Sequence, residues 1–521
     1  MRRWFAGRGL RAAQVASIAL ASIALTGLAV DGAPSRYVFA TASVYDTLDP
    51  HLTTHQGGIA ARLNLYDGLL RWVDNPAKLE LWLAEKHTGE PDGSSHTFVL
   101  RKDAKFHDGT DIRASDVVYS VERLLVSRLG AYPLIADLIA PGSTKAVDDD
   151  TVSFNLTKPS PIFLSIVPEI SIVNAALVKR NEINNDWGRA WLSKNEAGSG
   201  SFALTRYDPS IGFVAERFID HWNGQWGSMP IASIEFRTVP DAAKRVQGLI
   251  DGTYHGIDGY LGREHLDRLR REAGLHLIEA DTTRLLQAIL NNAREPMKTP
   301  AFRKALTHAF DYEGFSAEVG PATRNPMPLP AGIAGAPPSV DAPVYDLAKA
   351  RQYLASLSPP KEIGIAWSVG DEQLQRAAER LRAGLDQLGL AAKLVPRSAA
   401  VLAENLRDEK ADYDIVFAWQ PTHYPDPSNW MQTYDCDQIG QRNASRYCNR
   451  EVDRLLKDAR NALDPQARRR GYETATAIVM EEAAGLFVHT AKWTGIFSRR
   501  VTGIRFCPVG EGQDMRWASM H

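Results

Sequence analysis

A strand–helix–strand pattern in the second half of the chain constrains the fold most. Ile363–Trp367 and Ala392–Pro396 are short apolar runs typical of strands, and Glu372–Leu388 between them has the periodicity of a helix. This alternation predicts an α/β architecture. A chain of 521 residues is too long for one hydrophobic core, so we expect two to four domains.

The same alternation is present nearer the amino terminus. Thr97–Arg101 is a predicted strand, and Ser115–Leu125 is a predicted amphipathic helix. Ser115 is the expected N-cap, with Asp116 in the first turn, where the helix dipole favours an acid. Further strands are predicted at Leu285–Asn291, Gly495–Arg499 and Gly503–Cys507.

The amino-terminal segment has the composition of a secretory signal. Four arginines precede the small and apolar stretch Ala12–Val30, so residues 1–33 are predicted to be a signal peptide. A retained membrane anchor is the alternative. No cysteine lies near this stretch, so we expect a soluble periplasmic protein rather than a lipoprotein.

The charge balance argues against a nucleic-acid partner. The formal net charge is −2, and loss of residues 1–33 would make the chain more acidic, because four arginines and one aspartate leave with them. No strongly basic character is present that would attract nucleic acid.

The chain has three cysteines, Cys436, Cys448 and Cys507. An oxidising compartment makes a disulfide plausible, and we predict one between Cys436 and Cys448, which flank a polar loop. Cys507 would then be a small buried apolar residue. The alternative is that all three are free thiols.

Nine short segments resemble, in order, the bacterial family-5 extracellular solute-binding proteins, the receptors of peptide, nickel and opine ABC importers. The segments are Thr47–His51, Asn64–Leu70, Phe98–Leu125, Gly198–Phe202, His221–Gly224, Val239–Asp251, Pro300–Asp311, Tyr345–Leu354 and Tyr424–Asn429.

This resemblance implies a two-lobed, periplasmic-binding-protein-like α/β fold of type II, in the large three-subdomain form. Residues 34–56, 186–283 and 498–521 would build the core of lobe I, residues 57–185 its inserted subdomain, and residues 284–497 lobe II. The lobes would be joined by crossover strands and would enclose a solute by hinge closure. We expect a monomer that delivers its solute to the permease subunits of an ABC importer.

The strongest candidate for solute binding is Phe417–Pro427, where a predicted strand ends at Trp419 and a proline-rich loop follows. In peptide-binding relatives, an aspartate three residues before the Asp-Pro pair holds the α-ammonium of the peptide. Counting back from Asp426, this position is His423. A neutral imidazole supplies no negative charge, so a blocked peptide, an opine-like or sugar-containing solute, or an anion becomes more favourable. The alternative is a surface-loop histidine.

Other candidates each have a structural alternative. Trp419 could stack on a solute or fill the core of a lobe, and Tyr424 is adjacent to the candidate histidine. Asp426 could face the solute or shape a turn. Ser43 and Tyr45 lie where relatives pair with the solute backbone, or in an ordinary strand.

Arginines that could bind a solute carboxylate are present at three positions, each with the alternative of a solvated surface charge. They are Arg284, Arg397 and Arg407.

The sequence favours no cofactor, metal site or catalytic centre. His51 and His55 have the spacing of two metal ligands on a helix but lack the glutamate of the zinc-protease motif. No nucleotide-binding fingerprint is present. The rival functions are a receptor for a metal chelate, haem, opine or sugar conjugate, and, more remotely, a secreted hydrolase.

Overall fold

The computed structural model describes residues 35–52, 56–128, 130–224, 226, 229–319, 322–358, 360, 362–408, 413–510 and 512–521. The predicted signal peptide, residues 1–33, and His55 lie outside these ranges. Among the described helices, none is long and apolar enough to cross a bilayer.

Strands and helices alternate along the described chain, as expected for an α/β protein. The strands are β1 Arg36–Thr41, β2 Leu70–Val73, β3 Lys78–Leu81, β4 Ala84–Gly89, β5 Ser95–Leu100, β6 Thr144–Ala146, β7 Thr151–Asn155, β8 Phe202–Asp208, β9 Gly212–Arg217, β10 Ser233–Thr238, β11 Gly256–Asp258, β12 Leu275–Leu290, β13 Ala322–Arg324, β14 Ile363–Ser368, β15 Ala392–Arg397, β16 Ile415–Gln420, β17 Gly485–Ser498, β18 Val501–Thr502 and β19 Ser519–Met520. The helices are α1 Gln56–Leu65, α2 Ala114–Ser127, α3 Tyr132–Ile135, α4 Phe163–Ile166, α5 Ala175–Arg180, α6 Arg189–Leu192, α7 Ala242–Ile250, α8 Arg263–Arg270, α9 Pro300–Ala309, α10 Tyr312–Glu318, α11 Leu347–Leu354, α12 Glu372–Gln387, α13 Ala399–Arg407, α14 Ser428–Met431, α15 Arg450–Asn461 and α16 Pro465–Glu481.

The largest sheet has the order β15-β14-β16-β12-β17-β11-β1-β10-β9-β8, with β13 also paired to β17. Its two central strands, β12 and β17, are antiparallel and much longer than the others. We call β11, β1, β10, β9 and β8 half I of the sheet, and β16, β14 and β15 half II. The two long strands run through both halves and connect them.

The register makes the strands of the two halves point at each other. The last residue of β11, Asp258, pairs with Gly495 of β17, and the last residue of β16, Gln420, pairs with Leu285 of β12. Strand β1 is parallel to β11, and β14 is parallel to β16. The carboxyl ends of these four strands therefore meet from opposite sides near the middle of the long strands, where open α/β sheets bind ligands.

Each half has its own buried apolar clusters. In half I, α7 and α8 pack with Ile257 and Ile496 on one face, and Phe213, Phe236 and other side chains fill the opposite face. In half II, α9, α10 and α12 cover one face and α14, α15 and α16 cover the other. Helices on both sheet faces exclude water from the strand backbones, as in doubly covered α/β folds.

A second, smaller sheet of order β4-β5-β7-β6 lies in the part of the chain between β1 and β8. It packs with α2 and the segment around Ile170 to form a separate apolar cluster, which we call the insertion core. The chain thus leaves half I after β1 and returns to it at β8. The subdomain boundaries proposed from sequence, 57–185 for the insertion and 284–497 for lobe II, stay a prediction.

The predicted strand–helix–strand unit is confirmed as β14, α12 and β15, with the two strands parallel. The helix predicted at Ser115–Leu125 is confirmed, but Ser115 is not its N-cap. The helix begins one residue earlier, at Ala114, and Arg113 holds the cap position. The backbone N–H of Arg113 donates to the Asp116 carboxylate at 2.9 Å, so this acid stabilises the first turn.

The strand predicted at Gly503–Cys507 is wrong. Only Val501–Thr502 is a strand here, paired with Ser519–Met520. Gly503 follows with a φ of 74°, a left-handed conformation that ends the strand.

The predicted disulfide between Cys436 and Cys448 is present. It closes a loop with a sequence separation of 12 residues. Cys507 is a free, partly buried thiol, and burial raises its pKa to about 11. Cys507 is therefore an unreactive thiol at neutral pH.

Replacing Cys436 and Cys448 together by serine should lower the free energy of unfolding by about 2–3 kcal/mol, because the unfolded chain gains the entropy of the opened loop. Urea unfolding followed by tryptophan fluorescence measures this. Cys507→Ser is the matched control and should change stability much less. Equal unfolding midpoints for the control and the double variant would contradict the prediction.

Candidate functional site

The pairing of β12 with β17 breaks where the strand ends converge. The register shifts between Asp281 and Leu285, so Thr282, Thr283 and Arg284 bulge out of the ladder. The hydroxyl of Thr282 donates to the Ala491 carbonyl at 2.6 Å and accepts the Arg284 N–H at 3.0 Å. The bulge is therefore held by side-chain hydrogen bonds.

Arg284 lies between two aromatic rings that come from opposite halves. Its guanidinium carbon is 4.1 Å from the ring centroid of Tyr260, which follows β11, and 4.3 Å from that of Trp419 in β16. The residue is only 8% exposed, so it is not the surface charge considered as the alternative. Arg397 and Arg407, by contrast, are exposed. Cation–π contacts of a buried arginine are stronger than those in water.

Asp371, the N-cap of α12, connects this stack to half II. The indole N–H of Trp419 donates to its carboxylate at 2.7 Å, while the other oxygen accepts from the amides of Gln373 and Leu374. Burial raises the pKa of Asp371, and the charge of Arg284 and these hydrogen bonds oppose that rise. Trp419 is thus fixed in orientation, and its ring also packs against the core of half II.

On the side of half I, a small cavity adjoins the stack at Tyr260. Ser43, Tyr45, Asp258, Tyr260 and Gln513 are among its lining residues. The carboxylate of Asp258 accepts the Ala42 N–H at 2.9 Å and lies 3.5 Å from the Arg245 guanidinium. The structure therefore places the predicted Ser43 and Tyr45 together, at the carboxyl end of β1.

Tyr45 also has a structural role. It is almost fully buried, and its ring meets Phe213 edge-on with centroids 5.3 Å apart. Its carbonyl accepts a hydrogen bond from the Tyr207 hydroxyl at 2.6 Å. One edge of the cavity wall is therefore rigid.

His423 is buried rather than exposed, which excludes the surface-loop alternative. Only 2% of its area is exposed. Its ring Nδ1 lies 3.5 Å from Oε2 of Glu169, longer than a usual hydrogen bond, and its backbone N–H donates to Asn429 at 3.0 Å. Burial and the charge of Arg442 lower the pKa of His423, against the opposing effect of Glu169. The imidazole is therefore neutral at pH 7.

Glu169 has a second, stronger partner in Arg62. The two side chains form a bidentate pair with N–O distances of 2.9 and 3.0 Å. Burial alone would raise the pKa of Glu169, but the charge of Arg62 outweighs it and holds the pKa well below its usual range. Sequence reasoning missed both residues, because they lie far from the candidate loop in the chain.

Tyr424 and Asp426 shape the loop. The Tyr424 ring belongs to the insertion core, and its hydroxyl lies 3.1 Å from that of Ser428. Asp426 accepts from the amide and hydroxyl of Ser428, just where α14 begins, and from Arg468 at 2.6 Å. These contacts agree with the structural alternative for Asp426, in which its carboxylate shapes a turn.

Comparison with known proteins decides the family. The family model of the bacterial extracellular solute-binding proteins, family 5, middle region, matches residues 78–441. This chain belongs to that family.

The similarity of this solute-binding protein to known proteins extends over nearly its whole length. The probable D,D-dipeptide-binding periplasmic protein DdpA of Escherichia coli (strain K12) is 28% identical over 480 residues, covering 89% of this chain and 90% of DdpA. The structure of DppA from Helicobacter pylori in complex with the peptide STSA has a TM-score of 0.84 at 21% identity, covering 93% and 98% of the two chains. AgaA from A. tumefacien R10 in complex with agropinic acid has a TM-score of 0.80 at 22% identity, covering 93% and 99%.

These findings confirm the type II fold and the role expected from sequence. The protein is a bacterial extracellular solute-binding protein of family 5.

A second set of contacts joins the two halves directly. The backbone N–H of Gly262 donates to Glu372 at 2.6 Å, and the Arg245 guanidinium donates to the Gly370 carbonyl at 3.0 Å. His265 lies 3.4 Å from Glu372. The two halves therefore touch each other, an arrangement that we call the closed state.

Two histidine groups bear on metal binding. Glu264, His265 and Glu372 approach one another closely enough to hold an ion, but Arg376 already pairs with Glu264, which favours an ion-pair cluster. His51 is buried, with its Nε2 2.8 Å from the Ser171 carbonyl, and burial lowers its pKa to about 4. His51 is thus a structural residue.

The substitution Arg284→Gln should weaken solute binding by at least about tenfold and lower the free energy of unfolding by about 2 kcal/mol. It removes the cation between two rings and leaves Asp371 without the charge that opposes its protonation. Calorimetric titration and urea unfolding measure the two effects. Arg397→Gln, at an exposed position, should change neither quantity. Identical behaviour of the two variants would contradict the role given to Arg284.

Proposed function

We propose that the protein captures a peptide-like or related small polar solute where the carboxyl ends of β1, β11, β14 and β16 meet, and that Ser43, Tyr45 and Trp419 contact it. The carrying observation is the convergence of these strand ends on the bulge at Arg284. In this proposal His423 and Tyr424 close the cleft over the solute, and Asp426 acts on binding by shaping their loop.

We further propose that the solute has no free α-ammonium at the end that faces His423. A buried ammonium needs a charged acceptor, since an unpaired buried charge costs several kcal/mol. His423 is neutral, and the neighbouring carboxylate of Glu169 is already engaged by Arg62. A blocked or modified peptide satisfies this condition. An opine, a sugar conjugate or a metal chelate is the second candidate, which the fold shared with the agropinic acid complex of AgaA supports.

We also propose that residues 1–33 are removed by cleavage and that the mature protein is a periplasmic monomer. The apolar run after four arginines and the periplasmic relative DdpA support export to this compartment. The protein would deliver its solute to the permease without covalent chemistry.

Matched solutes test the proposed solute class. We expect N-acetylated dipeptides to bind at least about tenfold more tightly at pH 7.5 than the same dipeptides with free amino termini, because burying an ammonium here lacks compensation. Isothermal titration calorimetry measures this, with opines in a parallel series. Tighter binding of the free dipeptides would contradict the solute class. Binding of no member of either series would contradict the capture of peptide-like solutes.

The variant His423→Asp sharpens the same test. It places a carboxylate opposite the solute, and Arg62 and Arg442 keep the surroundings from becoming strongly negative. We expect the preference to shift toward free amino termini, with His423→Asn as the uncharged control.

A further inference from the structure

The loop after β16 is held at three consecutive residues, of which the last two contact the insertion. The Thr422 carbonyl accepts the Gly510 N–H at 2.8 Å, and its hydroxyl lies 2.6 Å from that of Thr283. His423 faces Glu169, and Tyr424 enters the insertion core. His423 and Tyr424 therefore form a direct contact between half II and the insertion.

Glu169 is held still at the centre of this contact. It ends a short 3-10 turn, Val167–Glu169, whose neighbours Val167 and Ile170 share the insertion core with Tyr424. Arg62 on α1 binds both carboxylate oxygens and also the Glu169 carbonyl at 3.3 Å. A carboxylate fixed in this way presents one orientation to His423.

We propose that Glu169, fixed by Arg62, is a positioning residue that docks the loop 422–424 through His423, and that this contact makes solute retention depend on proton concentration below neutral pH. The inference rests on the proposed function, since it assigns a task to the same closed cleft.

Charged groups from three other parts of the chain lie around His423. Glu169 comes from the 3-10 turn, Arg62 from α1 and Arg442 from the loop bounded by the disulfide, and the phenol of Tyr424 adjoins it in its own loop. Two cations and one anion thus surround the ring, so a proton on His423 would add a second net positive charge in a buried place. The closed cleft therefore disfavours the imidazolium.

The sign of the pH effect follows. Burial and Arg442 lower the pKa of His423 in the closed state, whereas a loop released into water would have a histidine pKa of about 6.5. Above that pH His423 is neutral in both states, and its protonation does not oppose closure. As the pH falls through and below that value, His423 is protonated in the open state but not in the closed state. Acid therefore favours opening. Glu169 stays ionised throughout this range, because its pKa is held well below its usual value.

The test is the affinity and dissociation rate of the N-acetylated dipeptides and the opines at pH 7.5 and 5.5. For the wild type we expect about a five- to tenfold loss of affinity on acidification, the limit for one proton taken up on opening. His423→Asn, which cannot titrate, should bind equally at both pH values. Glu169→Gln should bind more weakly already at pH 7.5. His276→Gln changes a histidine at the far end of β12 and should retain the wild-type pH profile.

The result that overturns the proposal is a pH profile of His423→Asn that matches the wild type. If no solute of the panel binds, the proposed function fails, and hydrogen exchange of peptides spanning 421–427 decides the inference separately. Protection of these peptides in the wild type should fall on acidification and stay constant in His423→Asn. Equal loss in both proteins would overturn the inference, and thermal unfolding confirms that each variant is folded.

Discussion

The structure depends on the antiparallel pairing of β12 with β17. These two strands belong to both halves of the sheet, so each half is built on one end of the same ladder. The pairing breaks at Thr282–Arg284, and the register shifts once more between Leu286 and Gln287. A break in the middle of the shared ladder creates a place that can bend. It also turns a side chain out of the sheet.

Three anions near the cleft each have an arginine beside them. Arg62 pairs with Glu169, Arg245 approaches Asp258, and Arg284 opposes the protonation of Asp371. None of these three carboxylates lacks a cation, which agrees with the proposed solute that has no free ammonium.

Sequence patterns predicted the strands that form apolar runs and the helices that are amphipathic. The unit β14–α12–β15 follows from apolar runs and helical periodicity. The long strands were predicted only in part, as Leu285–Asn291 and Gly495–Arg499, because β12 and β17 become polar where they cross the cleft. Glu279, Asp281 and Lys492 lie there. The alternation of apolar and polar residues that identifies a strand is lost where the strand is no longer buried.

The candidate site was predicted to a similar extent. Family resemblance led to Trp419 and His423, and strand ends led to Ser43 and Tyr45. The contacts of Arg284 with Tyr260 and of His423 with Glu169 join residues distant in the chain, and local patterns carry no information on such pairs. A buried arginine also looks the same in sequence as a surface one, which is why Arg284 was grouped with Arg397 and Arg407.

The proposed function requires that the two halves enclose a small molecule. Native mass spectrometry of protein purified without a denaturing step measures this, before and after incubation with the solute panel. We expect a noncovalent added mass of a small molecule, which disappears when the protein is unfolded. The bare mass of the chain in every preparation would contradict it.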